Sequence, residues 1–339
     1  MSRRFVSQLS HQESVDQVFL ATDKQLRPNR NGNLYLQVEL SDRTGSISAR
    51  LWNANETIYQ AFDDGDFVRV EGTTQVYQGA MQMIAKSVAR ALPHEVEPDD
   101  FIPMAAADLD RLTVRLGEIL RGLSNPHLRS LAECFLVDND FMHKFCRAPA
   151  GVKHHHAYRG GLLVHVVNVM EMASRVAECL PQVDRDLLVM GAFVHDLAKT
   201  DELSYDRAFA YTDEGQLIGH VVMGVALLDK KVAEAGRLSG DAIPEELVLR
   251  LKHMIVSHHG QYEFGSPKLP MTLEAIALCH LDNLDAKVHA FHRQISDDPN
   301  VESPWTLYNP TLGRKLYKGN GARPRGADAS GVSDAPEAE

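Results

Sequence analysis

Residues 191–200 read GAFVHDLAKT and continue a run, DRDLLVM, whose polar residues all lie at its start. Apolar residues dominate from Leu187 to Ala198, yet His195 and Asp196 stand side by side among them. Adjacent side chains on a helix point about 100° apart, so the pair cannot share one stripe. A single HD dipeptide carries little information, and its meaning depends on what the neighbouring helices hold.

Outward from this stretch, everything from Ala105 to about Phe291 has helical spacing with cap-like breaks. Polar residues recur where apolar ones dominate: His165 in LLVHVVNV, His195 and Asp196 in AFVHDLAK, His220 in LIGHVVMG, His258 and His259 in IVSHHG, and Asp282 in CHLDNLDAK. One such histidine has a bland explanation as a satisfied core residue. Five successive segments strain it, because each polar group is costly to bury without a partner. Imidazole and carboxylate are ligands that a first-row divalent ion accepts, and no cysteine competes at these positions. That composition points to Mn, Fe, Co or Zn rather than to a thiolate-rich structural zinc site.

Upstream, Val15 to Leu92 reads as strands. VFLAT, LYLQVELSD, SISARLW, DFVRVEGTTQVY and AMQMIAKSVARAL alternate with period two between RPNRNGN, SDRTG, DDGD and YQG turns. Five strands, with a helix-like ETIYQAF before the fourth, is the element order of a small closed OB-type barrel. Alternation places Leu34, Leu36, Val38, Leu40, Ile47, Ala49 and Leu51 inward and leaves Tyr35, Arg50 and Trp52 on the outer face. Two rings and a guanidinium suit a base-stacking platform for single strands; packing against another protein surface is the competing use.

The fold expected is therefore multi-domain α+β: a five-stranded OB-like β-barrel over residues 1–92, a proline-rich acidic linker over 93–104, and an all-α helical bundle over 105–318 with its core at about 151–292. Residues 319–339 have almost no large apolar side chains and read as a disordered tail.

The series H…HD…H…HH…D in a helical domain resembles the HD superfamily of metal-dependent phosphohydrolases. PAGVKHHHAYRGGLLVHVVNV, GAFVHDLAKTDEL, YTDEGQLIGHVVMG, LKHMIVSHHGQYEFGSP and EAIALCHLDNLDAKV, behind an OB-like domain, are similar to the YhaM-type 3'-to-5' exoribonucleases over nearly the whole chain. The resemblance implies release of 5'-mononucleotides from the 3' end of single-stranded RNA, with single-stranded DNA a second candidate and Mn²⁺ the favoured ion. It implies His165, His195, Asp196 and Asp282 as ligands of a first metal, with Asp196 bridging to a second held by His220, His258 and, at the edge of the set, His259. Ligands beyond the minimal HD set favour two ions per chain. In this reading Asp196 and Lys199 are catalytic, Lys199 lying in an HDxxK pattern one turn after His195, where it can reach a phosphate oxygen or the leaving group.

Around this core, His155, His156 and Arg159 are candidate substrate contacts, and Gly160 and Gly161 let their loop enter the His165 helix closely. His280 and Asp285 flank Asp282 and can orient a ligand. His253 reads as ordinary, and His289 and His292 as surface residues.

Composition sets the outer bounds. The chain has 339 residues, 44% hydrophobic and 24% charged, which suits a soluble globular protein of two or three domains. No apolar run reaches the roughly 20 residues of a bilayer span, and no apolar stretch follows the two N-terminal arginines, so a cytoplasmic protein without membrane contact is expected. Four scattered cysteines read as reduced. A net charge of -11 argues against non-specific coating of nucleic acid, but residues 1–92 carry ten Lys and Arg against ten Asp and Glu, so the excess lies outside the barrel. Arg27, Arg30 and Arg50 can form a local basic patch there. Two other readings compete: an HD phosphohydrolase acting on nucleotides or cyclic dinucleotides, which has no use for a stacking platform, and a nucleic-acid-binding protein with a vestigial HD domain, which should have lost a ligand. Association into a homo-oligomer is left open by the sequence.

Overall fold

The structure, a computed structural model, describes residues 3–319 apart from 30, 78–79, 98–99, 102–107, 153–155, 206–208, 297, 299, 301–302 and 311. The first part is a closed barrel of five strands, β1 (Ser14–Pro28), β2 (Leu34–Asp42), β3 (Gly45–Trp52), β4 (Phe67–Tyr77) and β5 (Ala80–Arg90), in the order β1-β2-β3-β5-β4. The short helix α1 (Glu56–Tyr59) sits between β3 and β4, capped by the Asn55 side chain accepting from Ile58 N.

Strand β1 extends well beyond VFLAT because it serves both sides of the closure. Ser14–Leu20 pairs with β4, Leu20–Pro28 pairs with β2, and the register shifts between Thr22 and Gln25, where Asp23 has φ +52°. A bulge of this kind bends a strand enough to close a barrel. Leu36, Val38, Leu40, Ile47, Ala49 and Leu51 are buried, as the alternation requires. Leu34 is the exception at 39% exposed: it opens β2 opposite Pro28, at the barrel's rim rather than in its interior. The linker is not wholly free of the barrel, since Phe101 is buried against Val18 and Leu20 and its ring lies 4.7 Å from that of Phe67.

The second part is helical: α2 (Leu109–Arg121), α3 (Pro126–Leu136), α4 (Asn139–Phe145), α5 (Gly161–Cys179), α6 (Arg185–Val194), α7 (Lys199–Glu202), α8 (Asp213–Leu217), α9 (His220–Ser239), α10 (Glu245–Ser257) and α11 (Leu273–Ser296). Starts are set by side-chain oxygens: Asp108, Asn125, Asp138, Asp184 and Thr212 each accept a backbone N–H of the first turn that the helix leaves unpaired. Helices α5 and α6 run through the centre of one large core, packed by Phe135, Phe141, Phe145 and Phe193 among others. Two features are not helical. A two-stranded ribbon, β6 (Leu203–Ser204) with β7 (Ala210–Tyr211), follows α7, and bridges join Trp305 to Tyr317 and Asn309 to Arg314 after α11. The predicted tail beyond residue 319 lies outside the described residues. Among the described residues no helix is long and apolar enough to cross a membrane.

Candidate metal centre

Helix α6 is buried along nearly its whole length and ends at Val194, so the chain turns just where His195 and Asp196 occur. The pair therefore leaves the regular helix inside the core, and both side chains can aim at one point. His195 is fully buried and Asp196 is 2% exposed. Lys199 opens α7 and donates from Nζ to Asp196 Oδ2 at 2.7 Å.

The remaining members of the series converge on this turn from α5, α9, the end of α10 and α11. His165 Nε2 lies 3.3 Å from Asp282 Oδ1 and 3.3 Å from His195 Nε2. Asp196 Oδ2 is 3.6 Å from His165 Nε2 and 3.4 Å from His195 Nε2. Its other oxygen, Oδ1, faces a different set, at 3.5 Å from His220 Nε2 and 3.6 Å from His258 Nε2. Among the described residues three groups have mutual spacings suited to one ion: His165 with His195 and Asp282, and His220 with His258 and His259, meet at this turn, while His156 with Asp285 forms a third on the outer side of His165. Asp196 stands between the first two.

Hydrogen bonds at the far side of each ring fix which nitrogen faces inward. His195 Nδ1 donates to Ala192 O (2.9 Å), His258 Nδ1 to Ile255 O (2.7 Å), His220 Nδ1 to Glu202 Oε1 (2.9 Å) and His165 Nδ1 to Asp285 Oδ2 (2.7 Å). A carbonyl or carboxylate can only accept, so each Nδ1 carries the proton and each Nε2 presents a lone pair to the centre. Outer partners of this kind are how proteins hold histidine ligands in the right tautomer. The fit to cations is tested by what lacks a partner: Asp196 Oδ1, His220 Nε2, His258 Nε2 and His259 Nδ1 are buried acceptors or donors without a hydrogen bond. Four such atoms facing one space would be costly in a dry core, and divalent ions would satisfy them.

The electrostatics agree. Burial works against a charge on His165, but Asp282 and Asp285 overcome it and push the imidazole up to about 9, so without an ion Nε2 keeps a proton facing Asp282; an ion bound there would replace that proton and take up the Nε2 lone pair. Burial would also raise the Asp196 carboxyl, yet Lys199 and His195 hold it well below the usual range. Burial, ahead of the neighbouring histidines, drives His258 well below its ordinary value and lowers His259, so both are neutral bases able to donate a lone pair.

Other expected residues fall elsewhere. His156 is buried, with φ +48°, and both its ring nitrogens are taken: Nδ1 accepts from the Tyr158 hydroxyl at 2.7 Å and Nε2 donates to Asp285 Oδ2 at 2.8 Å. It thus stands behind His165, sharing Asp285 with it, and is not among the residues lining the pocket beside Asp196. His155 lies outside the described residues, and Arg159 is half-buried on the same loop. Asp285 does hold the His165 ring and also accepts from Asn168 Nδ2. His280 lines the pocket above Asp282. His253 accepts from Met271 N and takes no part. The surface reading of His289 is corrected: its ring stacks on His156 at 3.9 Å, and burial together with His156 lowers it to about 4. His292 is exposed.

Sequence reasoning passed over Glu202. It is 6% exposed and accepts both the backbone N–H and the Nδ1–H of His220. Its one sequence signal was an acid three residues after Lys199, beside the apolar Leu203. On the barrel, Tyr35 and Trp52 are direct partners across β2 and β3 with ring centroids 5.1 Å apart, and Arg27 pairs with Tyr35 from β1. Arg50 lies opposite Gln37 two residues further along, its Nε without a partner, while Arg30 is outside the described residues.

Residues 162–287 match the HD domain model and residues 21–90 match an OB-fold nucleic acid binding domain model. Proteins named 3'-5' exoribonuclease YhaM from Bacillus velezensis and Bacillus subtilis are each 35% identical over 310 residues, spanning 90% of this chain and 95% of theirs. One from a Geobacillus species is 35% identical over 85% of this chain and 86% of its own. A solved structure, the second OB-fold domain of replication protein A from Methanococcus maripaludis, covers 27% of this chain and 96% of its own at 23% identity with a TM-score of 0.21, a likeness too slight to build on. With two domain matches in the right order and relatives aligned almost end to end, the chain belongs to the YhaM family of 3'-5' exoribonucleases.

Proposed function

We propose that this protein is a metal-dependent 3'-to-5' exoribonuclease that binds single-stranded RNA on its barrel and releases 5'-mononucleotides at the helical centre. The observation that carries the reading is the division of Asp196: Oδ2 belongs to the His165, His195 and Asp282 group, and Oδ1 to the His220, His258 and His259 group. This supports two ions per chain, with manganese our assignment for a site of neutral imidazoles and carboxylates. When bound, such ions supply Lewis-acid polarisation of the phosphodiester and make water a usable nucleophile at neutral pH.

The chain's own residues do the rest. Asp196 and Asp282 concentrate negative charge where cations belong, and the four Nδ1 hydrogen bonds keep Nε2 lone pairs aimed there without reorganisation. Lys199 is held charged: burial opposes it, but Asp196 at 2.7 Å raises it above the ordinary lysine value. From the turn after His195 its ammonium is positioned to attract a phosphate oxygen or the departing 3' oxygen. Upstream, Tyr35, Trp52 and Arg50 offer rings and a cation to the bases and backbone of the strand, a sequence-tolerant mode that RNA and DNA single strands can both use.

The test is a 5'-labelled single-stranded RNA incubated with the purified chain and Mn²⁺. Progressive shortening from the 3' end, with mononucleotides as product and arrest by a chelator, is expected. Intact RNA alongside rapid turnover of nucleotides or cyclic dinucleotides would overturn the assignment.

A further inference from the structure

Beside the metal ligands lies a cavity of about 340 Å³, floored by Asp196, His258 and Asp282. That volume is at the small end of ligand sites, about 300–1,000 Å³, which suits one nucleotide rather than a stretch of strand. The cavity's lining is mixed in chemistry. Lys199 is the one lysine or arginine among the lining residues; the lining also includes the apolar side chains of Phe264, Ile276 and Cys279 and the polar ones of Gln261, His280 and Asn283. Apolar side chains together with side chains that can exchange hydrogen bonds fit a base, and a single lining lysine offers little to a second phosphate.

Phe264 is the unusual member. It is 65% exposed, although a phenyl ring gains from burial. The turn that carries it is not loose. Phe264 N and Ser266 N donate to Gln261 O, Gly265 N donates to Tyr262 O, and the buried Ser266 hydroxyl is directed at Val256 O and Lys268 O. At the turn's base, Gly260 packs so close to α11 that a Cβ there would meet Cys279 Sγ at 2.4 Å. A fixed turn therefore presents a large aromatic face to the mouth of the reaction pocket, where little ordering entropy remains to be lost on binding.

We propose that Phe264 is the base-stacking residue of a 3'-terminal nucleotide subsite, with Gln261, His280 and Asn283 facing the polar edges of that base. The inference rests on the exoribonuclease reading and adds the residue that positions the nucleotide to be released.

The experiment uses the full chain with Mn²⁺ and two 5'-labelled RNAs of one sequence, ending in an ordinary adenosine or in an abasic ribonucleotide, with the first cleavage read at single-nucleotide resolution. Stacking on an aromatic residue is worth about 5- to 150-fold in binding. Wild type should therefore favour the adenosine end by a factor in that range, mainly through KM. Phe264→Leu should lose the same factor on the adenosine end, Phe264→Tyr should retain it, and the losses from removing ring and base should not add. Wild-type kinetics in Phe264→Leu, or equal losses on both RNAs, would overturn the subsite while leaving the exoribonuclease intact. A wild type inert toward both RNAs would overturn the exoribonuclease reading, and the subsite with it.

Discussion

Glu202 lies outside the HD series, yet it determines which nitrogen His220 turns toward the centre. Burial raises its carboxyl, but the His220 side chain and backbone hold it below the ordinary value, so it stays an acceptor for Nδ1–H. Glu202→Ala should weaken the ion at the His220 group by about 10- to 100-fold. Metal titration followed by calorimetry reads this directly, and wild-type affinity in the alanine variant would remove Glu202 from the centre. The residues that cluster here were legible in the sequence because a buried histidine or aspartate in an apolar helix breaks a pattern. Glu202, in the polar stretch KTDE, breaks none. His289 was misread for a related reason: its position on an exposed stretch of α11 says nothing of the His156 loop that folds over it.

At the scale of elements, the entrance to α5 decides where His165 sits. Gly160 has φ +80°, which favours glycine, and a Cβ on Gly161 would meet the His156 backbone oxygen at 2.0 Å. Gly161→Ala should cost about 1–3 kcal/mol and displace the His156 loop that supports Asp285; an unchanged melting temperature would show that the loop gives way freely. Away from the site, Lys231 on α9 is 2% exposed and donates from Nζ to Asp138 Oδ2, Glu234 Oε2 and Cys134 O. Lys231→Met should cost about 2 kcal/mol, less than a fully buried pair because both carboxylates keep some contact with water. Lys231 holds the Asp138 carboxyl below its ordinary value, so this stabilisation is present above about pH 4, the usual aspartate value, and is lost as pH falls through the depressed one. Urea unfolding of wild type and variant at neutral pH and near pH 3 should therefore show the gap narrowing on acidification, and a gap independent of pH would contradict the pair. Helices were readable from their caps and periodicity. The β6–β7 ribbon was not, since two-residue strands have no period to detect.

For the whole molecule, division of labour between barrel and bundle explains how a chain of net charge -11 can engage RNA. The barrel segment is neutral overall, and Arg27, Tyr35, Trp52 and Arg50 lie on adjacent strand pairs of one face. Trp52→Ala, at a position 44% exposed, should leave thermal stability nearly unchanged and weaken single-stranded RNA binding by about 1–3 kcal/mol, with binding measured across a salt series. Unaltered affinity would assign the ring pair to another surface. The barrel's five strands were legible because alternation and turn residues both mark them; the length of β1 was not, because its first half is held by β4, a partner that only closure supplies, and its second half continues past a bulge. The proposed chemistry depends on Asp196 serving two ions at once. Elemental analysis of the purified, metal-loaded chain tests that most directly: wild type should hold close to two transition-metal ions per chain and Asp196→Ala close to none, whereas undiminished metal content in Asp196→Ala would contradict a shared carboxylate at the centre.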